Sequence, residues 1–287
     1  MGDDAVLVIG STGAAGGEVV RQLVARGVRV RAAARRPAEA REKLPAAAEA
    51  VEFDFDRPST WAAALDGVRR AFLISPADDA RADAASNPLL DVMKSRGVHR
   101  VVNLTAMGAD DRPEMALRKI ELHLEHSGME FTHLRPNWFM QVFCGGPLRA
   151  GICARGVVAA PAGAARISFV DASDVAAVAA AALCDDGHAG KAYTLTGGEA
   201  LDHEQVATAI AAATGRPTRY VALDDSAARA AIEQAGLGAE RADRVLLLYR
   251  MVRAGFCARV SPDVEAVLHR PPTPFAAFAR DHVTCWR

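Results

Sequence analysis

The sequence predicts an α/β protein: a Rossmann-type doubly wound parallel sheet followed by a smaller, mostly helical C-terminal substrate lobe. Three observations predict it. A short apolar strand at residues 5–9 runs into a glycine turn, strand and helix patterns alternate as far as residue 198, and apolar stripes at helical spacing fill the remainder. After the turn, residues 18–25 read as an amphipathic helix. Further strands are expected at 28–34, 51–55, 70–74, 100–104 and 131–134, with helices between them, an order that implies a parallel sheet covered on both faces. Asn87-Pro88 reads as a helix start, with asparagine at the N-cap and proline in the first turn. Residues 143–165 are rich in Gly, Ala and Pro and read as irregular backbone over the sheet edge. Helical periodicity resumes at 174–183, a strand follows at 193–196, and Asp202 with Gln205 forms a capping-box pattern. Two domains follow: a dinucleotide-binding core over 1–198, with 137–165 facing a substrate cleft, and a substrate-binding lid over 199–287.

Composition narrows the function classes. With 287 residues, 51% hydrophobic content and a formal net charge of −1, the chain can bury a full core and carries no bulk basic field for nucleic acid. Asp3 and Asp4 stand where a signal peptide needs positive charge, and no apolar run reaches the ~18 residues of a membrane span, so a cytoplasmic protein without a membrane partner is expected. The five cysteines are scattered without a CxxC pair and read as reduced thiols. His123 and His126 lack an acidic third ligand, so no metal is expected. A monomer and a homodimer both remain open.

The motif that carries chemistry is the turn Gly10-Ser11-Thr12-Gly13-Ala14-Ala15-Gly16. A buried strand ending in such a turn leaves the next helix's first amides facing open space, where a pyrophosphate gains hydrogen bonds and a favourable helix dipole. Each glycine has a steric reason: Gly10 for the tight turn, Gly13 for backbone approach to phosphate, Gly16 for close packing of helix on strand. Arg35 and Arg36 end the second strand where an NAD site would carry a carboxylate. They suit a 2′-phosphate and point to NADPH/NADP, with NADH still possible. Other strand ends supply Asp54 and Phe55 beside the adenine, Ser75 and Pro76, Thr105 near the nicotinamide ribose, and Pro136, Asn137 and Phe139.

The glycine turn, the arginine after the second strand, Leu104-Thr105-Ala106-Met107-Gly108-Ala109-Asp110, Thr132-His133-Leu134-Arg135-Pro136-Asn137-Trp138-Phe139-Met140 and Val170-Asp171-Ala172-Ser173-Asp174-Val175-Ala176 resemble the NmrA-like group of atypical short-chain dehydrogenase/reductases. The similarity runs through Tyr193-Thr194-Leu195-Thr196-Gly197-Gly198 to the terminal residues. That resemblance implies NAD(P)H-dependent quinone and azo reductases, ketoreductases that tailor aromatic polyketide antibiotics, or dinucleotide-sensing regulators. Ordinary members of the superfamily carry a YxxxK pair on the helix after the fifth strand. In the register set by Ser127-Gly128, those positions hold Pro113 and Leu117; a shifted register restores only Lys119. Thr105 and Asn137 are then the expected polar groups for a developing oxyanion, and the substrate is expected to bring its own proton source. Met107, Met115, Trp138, Phe139 and Tyr249 are the expected surface for a flat aromatic small-molecule substrate. A non-catalytic NADP(H) sensor is the second reading.

Overall fold

The structure, a computed structural model, describes residues 4–76 and 81–287. Its elements run β1 (Ala5–Val8), α1 (Ala14–Ala25), β2 (Val30–Ala34), α2 (Pro37–Arg41), β3 (Glu49–Glu52), α3 (Trp61–Ala64), β4 (Val68–Ile74), α4 (Ala82–Ser95), β5 (Arg100–Leu104), α5 (Ala116–His126) and β6 (Glu130–Pro136). There follow α6 (Gly146–Arg155), β7 (Val157–Ala160), α7 (Ala172–Cys184), β8 (Lys191–Leu195), α8 (His203–Thr214), β9 (Arg219–Ala222), α9 (Asp225–Gln234), α10 (Ala239–Arg253), α11 (Asp263–Leu268) and α12 (Phe275–Asp281). The chain divides into two compact units, the first made mainly of residues up to 136 with 172–195, the second of 137–171, 196–265 and 270–287. Segment 137–171 therefore packs with the C-terminal unit.

The first unit is built on a seven-stranded sheet in the order β3-β2-β1-β4-β5-β6-β8, every pair parallel. Strand β1 reads Ala-Val-Leu-Val and is wholly buried, because a parallel strand is covered on both faces and loses the polar alternation of a half-exposed one. Ala5, Leu7 and Ile9 pack with Trp61 of α3, Leu89, Leu90 and Met93 of α4, and Ile120 and Leu124 of α5. Val6 and Val8 point to the opposite face. There α1 packs on alanine-rich α7, whose small side chains let it sit close to β4, β5 and β6. The strand order reverses between β1 and β4, and at such a switch point loops diverge to leave a crevice beyond the carboxyl ends.

Two sequence expectations are corrected here. Asn87-Pro88 does not begin a helix; α4 starts five residues before Asn87, and Pro88 lies inside it. Ala82, Ser86, Leu89, Leu90 and Met93 form a buried stripe across the proline, while Pro88 and Ala84, whose carbonyl the missing N–H would have met, are exposed. Burial of the stripe outweighs the lost bond. Residues 143–165 are not irregular either: α6 and β7 occupy most of them. Pro147 in the first turn and Gly156 at the left-handed C-cap (φ +60°) are ordinary start and stop signals that the small-residue composition masks.

The second unit holds a two-stranded parallel sheet of β7 and β9, the latter in a tail expected to be mostly helical. Its core is aromatic. Phe143 meets Phe169, Phe275 and His203 edge to face at centroid distances of 5.2, 5.4 and 6.1 Å, and the Trp286 indole N–H donates to the Phe143 carbonyl at 2.8 Å. No helix among the described residues is long and apolar enough to cross a membrane.

Candidate functional site

The glycine turn between β1 and α1 follows from steric necessity. Gly10 adopts φ +78°, and a Cβ there would approach Ile74 Cδ1 to 3.0 Å. A Cβ on Gly16 would lie 2.2 Å from the Gly10 carbonyl oxygen, so only glycine lets α1 close on the turn. The Ser11 hydroxyl is buried and donates to the Ala33 carbonyl at 2.7 Å, tying the turn to β2. The Gly13 N–H bonds the Gly10 carbonyl at 3.0 Å, and the first helical bond of α1 runs from Gly17 to Gly13 at 2.9 Å. The amides of Ala14, Ala15 and Gly16 accordingly carry no hydrogen bond among the described residues, and Gly13 at the N-cap has no side chain to supply one. Thr12, Gly13 and Ala14 are exposed. Three unclaimed donors at the positive end of a twelve-residue helix make an anion cradle that fits a pyrophosphate.

The remaining strand ends of the first unit line up beside it. Arg35 is exposed, with no partner among the described residues, whereas Arg36 pairs with Glu39 at 2.8 Å. Of the two, Arg35 is the guanidinium free for a phosphate. Asp54 is engaged locally, accepting from the Asp56 amide at 3.1 Å and Arg57 Nε at 3.2 Å, and Phe55 leans on Phe53 with centroids 5.1 Å apart. Ser75 accepts the Ser86 hydroxyl at 3.0 Å, which anchors the end of β4 and Pro76 to α4. Pro136 closes β6, and its carbonyl takes the Met107 N–H at 3.0 Å. Met107 and Met115 are half-buried on the segment between β5 and α5.

Thr105, at the end of β5, sits over a buried ion network that sequence reasoning missed. Its hydroxyl donates to Glu121 Oε1 at 2.8 Å; Arg135 binds both Glu121 oxygens, Nε to Oε1 at 3.0 Å and Nη2 to Oε2 at 2.9 Å; Arg118 Nη1 adds a bond to Oε2 at 2.9 Å. Arg118 continues to Glu125 at 2.6 Å and Arg135 to Asp110 at 2.7 Å. Burial opposes ionisation of Glu121, but the hydrogen bonds from Arg135 and Thr105, with the charge of Arg135, outweigh it and hold the carboxyl below its usual range. Burial pushes the His133 imidazole down against the opposing pull of Glu121 and Glu125, so the ring is neutral near pH 7. Glu121, Glu125 and His133 bring ligand-type atoms within 4.8 Å of one another, but both carboxylates are already neutralised by arginine. The signal for this network was present: Glu121 falls on the apolar stripe of Leu117, Ile120 and Leu124, where a charge demands a partner.

The helix that bears the tyrosine and lysine in ordinary relatives begins here only at Ala116, after Pro113, and half-buried Leu117 is packed against the core. Lys119 is half-exposed and lies 3.6 Å from Asp83 of α4. Other predicted residues belong to the second unit. The buried Asn137 amide donates to Ser168 Oγ and the Cys257 carbonyl, both at 2.8 Å, which commits its N–H groups to those two oxygens. Trp138 packs on Tyr249 with centroids 4.9 Å apart, and Phe139 forms a parallel bridge with Val170. Tyr249 is 5% exposed, and burial pushes its phenol far above the usual range.

Comparison with known proteins agrees with this geometry. A family model described as NAD(P)H-binding matches residues 10–186. The chain is 35% identical to an NAD(P)H azoreductase of Xenophilus azovorans, covering 98% of this chain and 99% of that one. It is 34% identical to a (4-alkanoyl-5-oxo-2,5-dihydrofuran-3-yl)methyl phosphate reductase of Streptomyces griseus, covering 96% and 97%. Among solved structures it resembles an NADPH-dependent quinone oxidoreductase of Escherichia coli, with TM-score 0.81 at 25% identity over 98% and 99% of the two chains. With an open amide cradle at the switch point of a parallel sheet, and relatives matched along almost their entire length, the chain belongs to the NAD(P)H-binding oxidoreductases.

Proposed function

We propose that this protein is an NADPH-dependent reductase acting on a quinone or on an aromatic polyketide-type ketone, with the second unit as its substrate-binding lobe. The observation that carries the cofactor half is the pairing of an uncapped α1 with an Arg35 that has no partner among the described residues, on the same edge of the sheet. In this reading the Ala14, Ala15 and Gly16 amides take the pyrophosphate, Arg35 takes the 2′-phosphate, and Asp54, Phe55, Ser75, Pro76 and Thr105 border the rest. NADPH, when bound, supplies hydride. The names of the relatives support the substrate class, since azo compounds and quinones share a flat conjugated acceptor.

The proton is the distinguishing point. Pro113 precedes α5, Leu117 carries no charge, burial makes the Tyr249 phenol a weaker acid than usual, and the Thr105 and Asn137 donors are committed to Glu121 and to Ser168 and Cys257. For a ketone we therefore assign the proton to a phenolic hydroxyl of the substrate next to the reacting carbonyl, which solvent then re-protonates, whereas a quinone or azo acceptor spreads the hydride's charge over its conjugated system and takes its proton from solvent. Met107, Met115, Trp138, Phe139 and Tyr249 are assigned to its apolar faces. Following NADPH absorbance with quinones, azo dyes, hydroxyaryl ketones and ketones lacking a neighbouring hydroxyl tests both halves. Turnover restricted to quinones, azo dyes and hydroxyaryl ketones is expected. Equal rates with simple ketones would remove substrate assistance, and no oxidation with any compound would remove the substrate class.

A further inference from the structure

Thr105 ends a central strand of the first unit, nearly buried at 8% exposure, and its hydroxyl has one proton to give. The Glu121 carboxylate, fully buried and gripped by Arg135 and Arg118, is ionised and so only accepts. The direction of the 2.8 Å bond between them is therefore forced: Thr105 donates inward, and its free lone pair is left as an acceptor. A second oxygen near the hydroxyl, the Leu134 carbonyl at 3.4 Å, also accepts and leaves this polarity unchanged. Arg135 bridges Glu121 to Asp110, five residues beyond Thr105, so one ion network holds the start and the middle of the loop that carries Thr105. A buried ionised carboxylate on a helix face otherwise filled by Ile120 and Leu124 is weak evidence of a stabilising role, because buried ion pairs often add no more stability than apolar side chains of similar volume, so its presence points to a task other than packing.

We propose that Glu121 is a positioning residue for the cofactor: by claiming the Thr105 proton, it fixes Thr105 Oγ1 as an acceptor for a hydrogen-bond donor on the nicotinamide riboside half of NADPH. This rests on the reading that the strand ends of the first unit hold the dinucleotide. Glu121 touches no ligand in this scheme; it sets the polarity of the residue that does. Thr105 and Glu121 then act as one unit, and deleting either has the effect of deleting both.

Calorimetric titration of the full chain with NADPH and, separately, with 2′,5′-adenosine diphosphate tests it, because the second ligand lacks the nicotinamide riboside. Thr105→Val and Glu121→Gln are each expected to weaken NADPH about tenfold, the size of one buried hydrogen bond, and the double variant no further. Affinity for 2′,5′-adenosine diphosphate stays at the wild-type value throughout, and Thr105→Ser restores NADPH binding. Should Glu121→Gln fail to fold, the Glu121→Leu, Arg135→Leu double variant removes the buried charges together and is expected to show the same selective loss. Unchanged NADPH affinity in Glu121→Gln, equal losses for both ligands, or multiplying losses in the Thr105→Val, Glu121→Gln double variant would each overturn the proposal. If wild type bound neither ligand, the dinucleotide reading would fall and the proposal with it.

Discussion

Helices α1 and α8 are both twelve residues long and begin with nearly the same backbone: the N-cap residue of the first has φ −83° and ψ 173°, that of the second φ −83° and ψ 171°. What differs is the side chain. Asp202 of α8 accepts the Gln205 backbone N–H at 2.9 Å while the Gln205 side-chain oxygen accepts the Asp202 N–H at 3.0 Å, so the helix supplies its own cap. Gly13 of α1 supplies nothing, and α1 has no acidic residue in its first turn. A helix end finished from within is a structural element; one left unfinished at the switch point of a sheet offers its free donors to an anion, the role proposed for α1. The two termini show that the cradle comes from withholding a cap, since backbone geometry alone does not distinguish them.

The sharpest way to break this comparison is to give α1 the cap of α8. Gly13 lies at a backbone angle open to any residue, and a Cβ there would meet only the Gly10 carbonyl oxygen at 3.3 Å. Gly13→Asp should therefore fold, with a melting temperature at or above wild type. Its carboxylate competes for the open amides and repels phosphate, so the NADPH dissociation constant should rise at least about 100-fold, or about 2.7 kcal/mol. Calorimetric affinity within threefold of wild type would mean that the pyrophosphate lies elsewhere.

The capped terminus has its own vulnerability, just inside the cap. His203 is the first residue of α8, buried against Tyr220 at a centroid distance of 5.2 Å, and burial lowers its pKa to about 4. Its Nδ1 has no hydrogen-bond partner among the described residues. In the unfolded chain the ring titrates near 6.5, so below that pH the unfolded state binds a proton that the folded state refuses. Stability is retained above about pH 6.5 and falls between there and about pH 4, where His203 accounts for about 3 kcal/mol of the loss. His203→Phe should flatten that part of the stability-against-pH curve measured by urea unfolding. A slope identical to wild type would assign the acid sensitivity to other groups.

A smaller effect separates Arg35 from Arg36. With Arg36 paired to Glu39 and Arg35 free, Arg35→Ala should weaken NADPH about tenfold and leave NADH unchanged, while Arg36→Ala changes neither by more than about twofold. Fluorescence titration with both cofactors checks it, and equal losses for NADPH and NADH would remove Arg35 from the 2′-phosphate.

These differences also mark what the sequence made legible. The turn could be read residue by residue because its cause is local: a glycine at φ +78° and another whose added Cβ would lie 2.2 Å from a carbonyl oxygen leave no choice of residue. The capping box at Asp202 was readable for the same reason, two side chains three residues apart. Long-range pairing was not. Glu121 and Arg135 lie 14 residues apart on different elements, and Thr105 joins them only because β5 and β6 pair in register from Arg100 with Glu130 to Leu104 with Leu134. Pro88 misled because the solvent exposure that excuses a proline inside a helix is a tertiary fact. Asn137 and Thr105 were correctly placed at strand ends, but the direction of their donors depends on Ser168, Cys257 and Glu121, which no local pattern connects to them.

The smallest effect is the counterpart of the first. Asp202→Ala removes the α8 cap and leaves the amides of its first turn to water, which costs about 1 kcal/mol. For a chain of this size that is about 2–4 °C of melting temperature. Asp202 is a partly exposed N-cap in the second unit, so the open terminus does not become a second anion site: Glu204 in the same first turn repels phosphate, and His203 beside it is held neutral. NADPH affinity in Asp202→Ala should match wild type, and sulfate should not restore the lost stability beyond its general effect on wild type. Recovery by sulfate specific to the variant would show that an uncapped N-terminus suffices to bind an anion here, and the acidic neighbour at 204 would lose its part in keeping α8 purely structural.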